Sequence, residues 1–217
     1  MLAFLIALAA IQGDVVQALW FGFVAMIIDG TDGMLARHFR VRELVPWFDG
    51  SLLDNIVDYL TYVFAPALLL WTAGYLPQGT AGMILAILPL LASSYQFCRV
   101  DAKTEDHFFL GFPSYWNVIA FYAFILDWSP TTVGVILVVC SALVFVPIRY
   151  LYPSRTVALR PITLIVSAIW MLSYAALLLE WPRLNSLVLN VSVLGVIYYV
   201  AVSLYLNFGR RSAPSGA

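Results

Sequence analysis

The feature that most constrains this chain is a succession of apolar runs, each long enough or nearly long enough to cross a lipid bilayer, separated by short polar turns. A transmembrane helix takes about 20 apolar residues, and inside lipid every backbone N–H and C=O must be bonded within the protein. The runs read as helical spans at 1–12, 15–28, 52–73, 81–98, 113–128, 131–148, 161–179 and 184–207. With 63% hydrophobic and only 11% charged residues, and a mean hydropathy of +0.92, the chain lacks the polar surface of a soluble domain. The expected fold is an all-α integral membrane protein, a polytopic bundle of about eight transmembrane helices in a single domain over residues 1–217.

Charge placement orients this bundle. Arg37, Arg40 and Arg42 follow the second run, Arg99 and Lys103 the fourth, Arg149, Arg155 and Arg160 the sixth, and Arg210 and Arg211 the last. Of the 11 basic residues, only Arg183 falls in the opposite set of loops. Basic loops remain on the cytoplasmic side of a membrane, so these alternate loops and the carboxyl end are expected there. A formal net charge of −1 argues against a nucleic-acid partner. Cys98 and Cys140 lie in apolar segments and read as small core residues rather than a disulfide or metal ligands.

The first run is short. Twelve helical residues reach about 18 Å, less than the hydrocarbon core of about 30 Å. No Lys or Arg precedes its apolar stretch, as a signal peptide would require. The reading is therefore a chain that begins inside its first transmembrane helix, a truncated amino-terminal span, with Asp14 in a tight outward-facing turn. Pro66 and Pro89 fall inside runs, where they are expected to kink a helix. The polar connection from His38 to Asp49 contains Pro46, which stops any helix running on from Arg37. Arg210 to Ala217 reads as a short Gly/Ser/Pro tail.

Against this background four aspartates stand out. Asp29 and Asp32 are three residues apart at the end of the second run, and Asp54 and Asp58 are four apart at the start of the third. Both spacings put each pair on one helix face. Carboxylates at a membrane boundary are costly unless a cation or proton compensates them. Four converging acids form an oxygen-rich site suited to Mg²⁺ or Mn²⁺, and two such ions would neutralise the acids and clamp a phosphoryl group. Gly33, Ala36 and Gly50 remove side-chain bulk beside the acids, and Arg37 is suited to forked bonding of phosphate. The glycines alone fit close helix packing equally well, and Arg37 alone fits a topology anchor. Packing does not explain four acids.

The run Asp29-Gly30-Thr31-Asp32-Gly33-Met34-Leu35-Ala36-Arg37, followed by Gly50, Asp54 and Asp58, resembles the signature of the CDP-alcohol phosphotransferases, integral membrane enzymes. Twelve residues separate Arg37 from Gly50, more than in most of that family. The longer connection is similar to that of its bacterial, choline-using branch. So are Leu53 to Tyr59, Lys103-Thr104-Glu105-Asp106, Phe108 to Pro113 and Trp116-Asn117.

The resemblance implies CDP-diacylglycerol as donor, choline as acceptor, and phosphatidylcholine and CMP as products. It implies two divalent ions, Mn²⁺ or Mg²⁺, on Asp29, Asp32, Asp54 and Asp58, with Asp58 also the general base. Gly33, Ala36, Arg37 and Gly50 would line the CMP part of the donor. It further implies a bacterial inner-membrane location and a homodimer. A quaternary ammonium is recognised by aromatic faces with help from carboxylates. The candidates are Tyr59, Tyr62, Tyr95, Tyr115 and Trp116, with Glu105 and Asp106, although each also reads as an ordinary packing, belt or loop residue. His38 and His107 have no partner pattern and are not read as catalytic. The rival readings are the same chemistry with serine, glycerol phosphate or inositol phosphate as acceptor, and a cation transporter. Few spare arginines near the motif beyond Arg40 and Arg42 disfavour a phosphorylated acceptor. A transport site would lie near the bilayer midplane, whereas these acids cluster at one face.

Overall fold

A computed structural model describes residues 1–209 and places a helix in each predicted run. The helices are α1 (Leu2–Ile11), α2 (Val15–His38), a single turn α3 (Val41–Leu44), α4 (Gly50–Asp58), α5 (Ala65–Thr72), α6 (Thr80–Cys98), α7 (Trp116–Ile125), α8 (Pro130–Val144), α9 (Arg160–Glu180) and α10 (Ser186–Gly209). A π-helical turn, Tyr59–Phe64, joins α4 to α5 in one continuous rod. Among the described residues, five segments are long and apolar enough to cross a membrane: α2, Gly50–Thr72, α6, α9 and Ser186–Phe208. The chain is a membrane protein by that criterion.

The first, fifth and sixth predicted runs form shorter helices of 10, 10 and 15 residues. Local chemistry sets two of those lengths. α7 begins only after Pro113 and after Ser114, which sits at φ 60°, and it stops before Asp127 at φ 47°. α8 lies between Pro130 and Pro147. The predicted tail, with Arg210 and Arg211, falls outside the described residues.

The start of α2 follows the sequence reading. Gly13 at φ +78° reverses the chain after α1, and Asp14 caps α2 by accepting the Gln17 N–H at 2.9 Å. α2 then runs ten residues past its predicted apolar span, to His38, so that Asp29 and Arg37 share one helix. Arg40, in the left-handed region at φ 49°, separates α2 from α3, which ends before Pro46.

The described chain divides into two compact units, Met1–Phe97 with Ser114–Ser141, and Cys98–Pro113 with the residues from Ala142 onward. In the first, α1 packs on α2 and α5, and α7 packs on α5, α2 and the π turn. Small buried residues, Ala9, Ala10 and Ala18, let these helices approach closely. Larger ones, Leu70, Trp116 and Phe121, fill the space between. At the start of α6, a Cβ on Gly82 would run into the Pro77 carbonyl, so the helix is seated on the turn that precedes it.

In the second unit α9 packs against α10, with Gly195 facing the Trp170 ring. Two three-residue strands, β1 (Phe108–Leu110) and β2 (Arg149–Leu151), pair antiparallel with Phe109 opposite Tyr150. A purely helical reading misses this sheet. Strand pairing satisfies backbone groups of two loops that have no helix to bond them. It also sets the loop after α6 beside the loop after α8, on one side of the unit. Cys98 and Cys140 are both free, but Cys98 is exposed at the last residue of α6 rather than buried in a core.

Candidate metal centre

The second half of the aspartate motif is positioned by a cap. Asp49 accepts the N–H groups of Ser51 and Leu52 at 3.0 Å and the Ser51 hydroxyl at 2.7 Å. The Ser51 hydroxyl is the main reason its carboxyl is held below the usual range. This cap starts α4 at Gly50, so Asp54 and Asp58 follow on one face, one turn apart.

That face meets α2 at Asp29, in the second half of the helix. One carboxylate oxygen from each of Asp29, Asp54 and Asp58 lies within 4.8 Å of the other two, and all three residues are half-buried. Two unit charges at such a separation repel by about 3 kcal/mol at an effective dielectric of ~20. Such a group is relieved by a bound cation or by a proton. The group contains only carboxylates, with no thiol or imidazole, which is the donor set of a hard divalent ion such as Mg²⁺ or Mn²⁺. Asp32 is exposed, close to one turn further along α2, and is not one of the three.

The small residues separate by environment. A Cβ at Gly30 or Gly50 would meet no heavy atom within 4 Å, so neither glycine seats a neighbouring helix. At Gly33 a Cβ would lie 3.3 Å from Nη1 of Arg37, which folds back along α2 over that position. Ala36 and Arg37 are exposed. Open space beside the acids, edged by one guanidinium, is what a bulky phosphate-bearing ligand needs.

Tyr62, on the π turn, donates its hydroxyl to Oδ2 of Asp29 at 3.0 Å and is only 9% exposed. Hydrogen bonds to charged groups contribute about 1.5–3 kcal/mol. Tyr62 also lies within electrostatic reach of Asp58 and of half-buried Tyr115. The other aromatic candidates are placed differently. Tyr59 donates to the Leu90 carbonyl at 3.1 Å and accepts from Ser94 at 3.2 Å, which ties the rod to α6. Trp116 is buried and donates its Nε1–H to Ser93 at 2.8 Å. Ser93 in turn bonds Ser114 at 2.9 Å. Next to Trp116, the Oδ1 of buried Asn117 has no hydrogen-bond partner. Tyr95 is exposed on α6. Within the second unit, Glu105 is exposed, and Asp106 accepts from Thr104 at 2.7 Å and from Arg149 at 3.2 Å.

A membrane-embedded helical protein with a carboxylate cluster split between two helices and able to hold a metal ion defines a class, and sequence comparison agrees. The CDP-alcohol phosphatidyltransferase family matches residues 1–147, and the chain belongs to that family; it is a transferase. It is 41% identical over 210 residues to a phosphatidylcholine synthase of Legionella bozemanae, covering 94% of each chain. A phosphatidylcholine synthase of Legionella pneumophila is 42% identical over 210 residues, 94% of this chain and 80% of that one. One from Pseudomonas aeruginosa is 37% identical over 204 residues, 93% and 84% respectively.

Proposed function

We propose that the protein transfers the phosphatidyl group of CDP-diacylglycerol to choline, giving phosphatidylcholine and CMP. The observation that carries this reading is the convergence of Asp29, Asp54 and Asp58 within 4.8 Å from the two halves of the motif. The relatives' shared name supports choline as the acceptor.

In this reading Asp29, Asp54 and Asp58 would hold a divalent cation, and Asp32, exposed on α2, would complete a two-ion set. Bound cations supply charge neutralisation at the diphosphate. Arg37 bonds phosphate oxygens of the CMP moiety, in the open space left by Gly33, Ala36 and Gly50. Asp58 accepts the proton of the choline hydroxyl. The oxygen then attacks the phosphorus that bears the diacylglycerol, the bond to CMP breaks, and CMP leaves with the displaced electron pair. Positioning and electrostatics account for most of the acceleration in such phosphoryl transfers.

Half-buried Tyr115, within electrostatic reach of Tyr62, presents the aromatic face for the quaternary ammonium. The alternating basic loops support a multi-pass protein of the bacterial inner membrane with this site facing the cytoplasm. A homodimer belongs to the same reading through the family resemblance. Radiolabelled choline supplied with CDP-diacylglycerol and Mn²⁺ tests the assignment. Label in lipid with stoichiometric CMP release is the expected result. Turnover with serine or glycerol phosphate but not choline would replace the acceptor and keep the class.

A further inference from the structure

The aspartate motif accounts for the acids but not for the backbone that follows them. Directly after Asp58 the i→i−4 ladder gives way to π-helical bonding, with the Ala65 N–H donating to the Leu60 carbonyl. Such turns are rare and concentrate at functional positions. The cause here lies one turn ahead. Pro66 has no N–H to donate, and in a regular helix its ring would clash with the carbonyl of Tyr62, four residues back. The widened turn relieves that clash. Thr61 supports it by donating its hydroxyl to the Val57 carbonyl at 2.9 Å. Tyr62 is consequently carried across to α2, where its hydroxyl reaches Oδ2 of Asp29.

We infer that Tyr62 is a positioning residue for the metal-binding acids: its hydroxyl fixes the Asp29 carboxylate so that the other oxygen faces Asp54 and Asp58. Three points on the structure favour this over a role as an acceptor-binding face. The ring is buried and offers little surface to a ligand. Its hydroxyl is already committed to a carboxylate oxygen. The bond spans 33 residues of sequence and links the two halves of the motif directly. A carboxylate held by a second partner is oriented as a ligand before the cation arrives, and loss of such outer partners commonly weakens metal affinity by about 10–100-fold.

The inference rests on reading the three acids as a metal site, and the test separates the two. Mn²⁺ binding to the metal-free protein in lipid nanodiscs is followed by electron paramagnetic resonance for the wild type, Tyr62→Phe and Asp29→Asn. Melting of the metal-free forms and the KM for choline are measured alongside. Tyr62→Phe keeps the ring and its packing, so the metal-free protein should still fold, with a melting temperature lowered by no more than the loss of one hydrogen bond. Its Mn²⁺ affinity should fall by about 10–100-fold, with the choline KM at saturating Mn²⁺ unchanged. Unaltered Mn²⁺ affinity in Tyr62→Phe, with binding lost in Asp29→Asn, would overturn the role of Tyr62 alone. A raised choline KM at unchanged Mn²⁺ affinity would instead make Tyr62 an acceptor contact. Wild-type Mn²⁺ binding by Asp29→Asn would overturn the metal site itself.

Discussion

Asp49 and Asp54, five residues apart at the start of α4, put one side-chain chemistry to different ends. Asp49 lies outside the helix and spends its oxygens on backbone N–H groups, whereas Asp54 and Asp58 project from the helix toward Asp29. Asp49→Ala should therefore lower the melting temperature, while Asp49→Asn, an equally good cap, should not. The sign of the pH effect follows from the depressed pKa. A carboxyl whose folded value lies below its unfolded value stabilises above the unfolded pKa and loses that contribution as pH falls through the folded one. The melting difference between Asp49→Ala and wild type should thus shrink below about pH 4, and thermal melts across that window measure it. At Asp58 the consequence is catalytic. Replacing it with Asn removes the base and one anionic ligand, and turnover should fall by at least about 10²–10⁴-fold with donor binding largely retained. Near-normal product formation by that variant would dismiss Asp58 as base. The acids were legible in the sequence because helical spacing and the cost of charge in an apolar chain leave few alternatives. Tyr62 was visible only as one aromatic among many, since its contact with Asp29 depends on a backbone turn that side-chain periodicity does not encode.

At the scale of elements, that turn is the most consequential departure from a regular helix. A proline inside the third run predicts a kink, and the structure resolves it into a π-helical segment placed between Asp58 and α5. Pro66→Ala restores an N–H able to bond the Tyr62 carbonyl and removes the ring clash, so the rod can revert to a regular α-helix. The expected outcome is a metal-free protein as stable as the wild type or more so, with weaker Mn²⁺ binding because Tyr62 and Asp58 rotate out of register. A stability gain accompanied by a functional loss is the usual signature of strain kept for a site. Melting and Mn²⁺ titration on the same preparation measure both, and unchanged Mn²⁺ affinity would show that the turn does not set the site. The same reasoning explains the helix lengths. Hydropathy locates apolar runs well, but Pro113, Ser114 and Asp127 limit α7 to ten residues whatever the hydropathy around them. The β1–β2 pair was illegible for a different reason: each strand is three residues long, too short for an alternating pattern to register, and its partner lies some 40 residues away, a separation read from the paired register of Phe109 with Tyr150.

For the whole molecule, the basic residues and the fold make a joint prediction about sidedness. The loop after α6 and the loop after α8 are joined through β1 and β2, so they must share a side, as the alternation of basic residues requires. The acids of α2 precede Arg37 on the same helix, and the basic residues from Arg37 to Arg42 are assigned to that same side by the same rule. Cys98 offers a direct probe, because it is exposed at the end of α6, immediately before Arg99, while Cys140 lies within α8. In a Cys140→Ser background, a membrane-impermeant maleimide should label Cys98 in inverted membrane vesicles and leave it unlabelled in right-side-out ones. Labelling only in right-side-out vesicles would reverse the orientation and place this loop outside, contrary to the charge rule. Because CMP and choline are charged and do not cross lipid freely, the same vesicles carry a functional check. Inverted vesicles should incorporate added choline into lipid from CDP-diacylglycerol without permeabilisation, whereas right-side-out vesicles should require it.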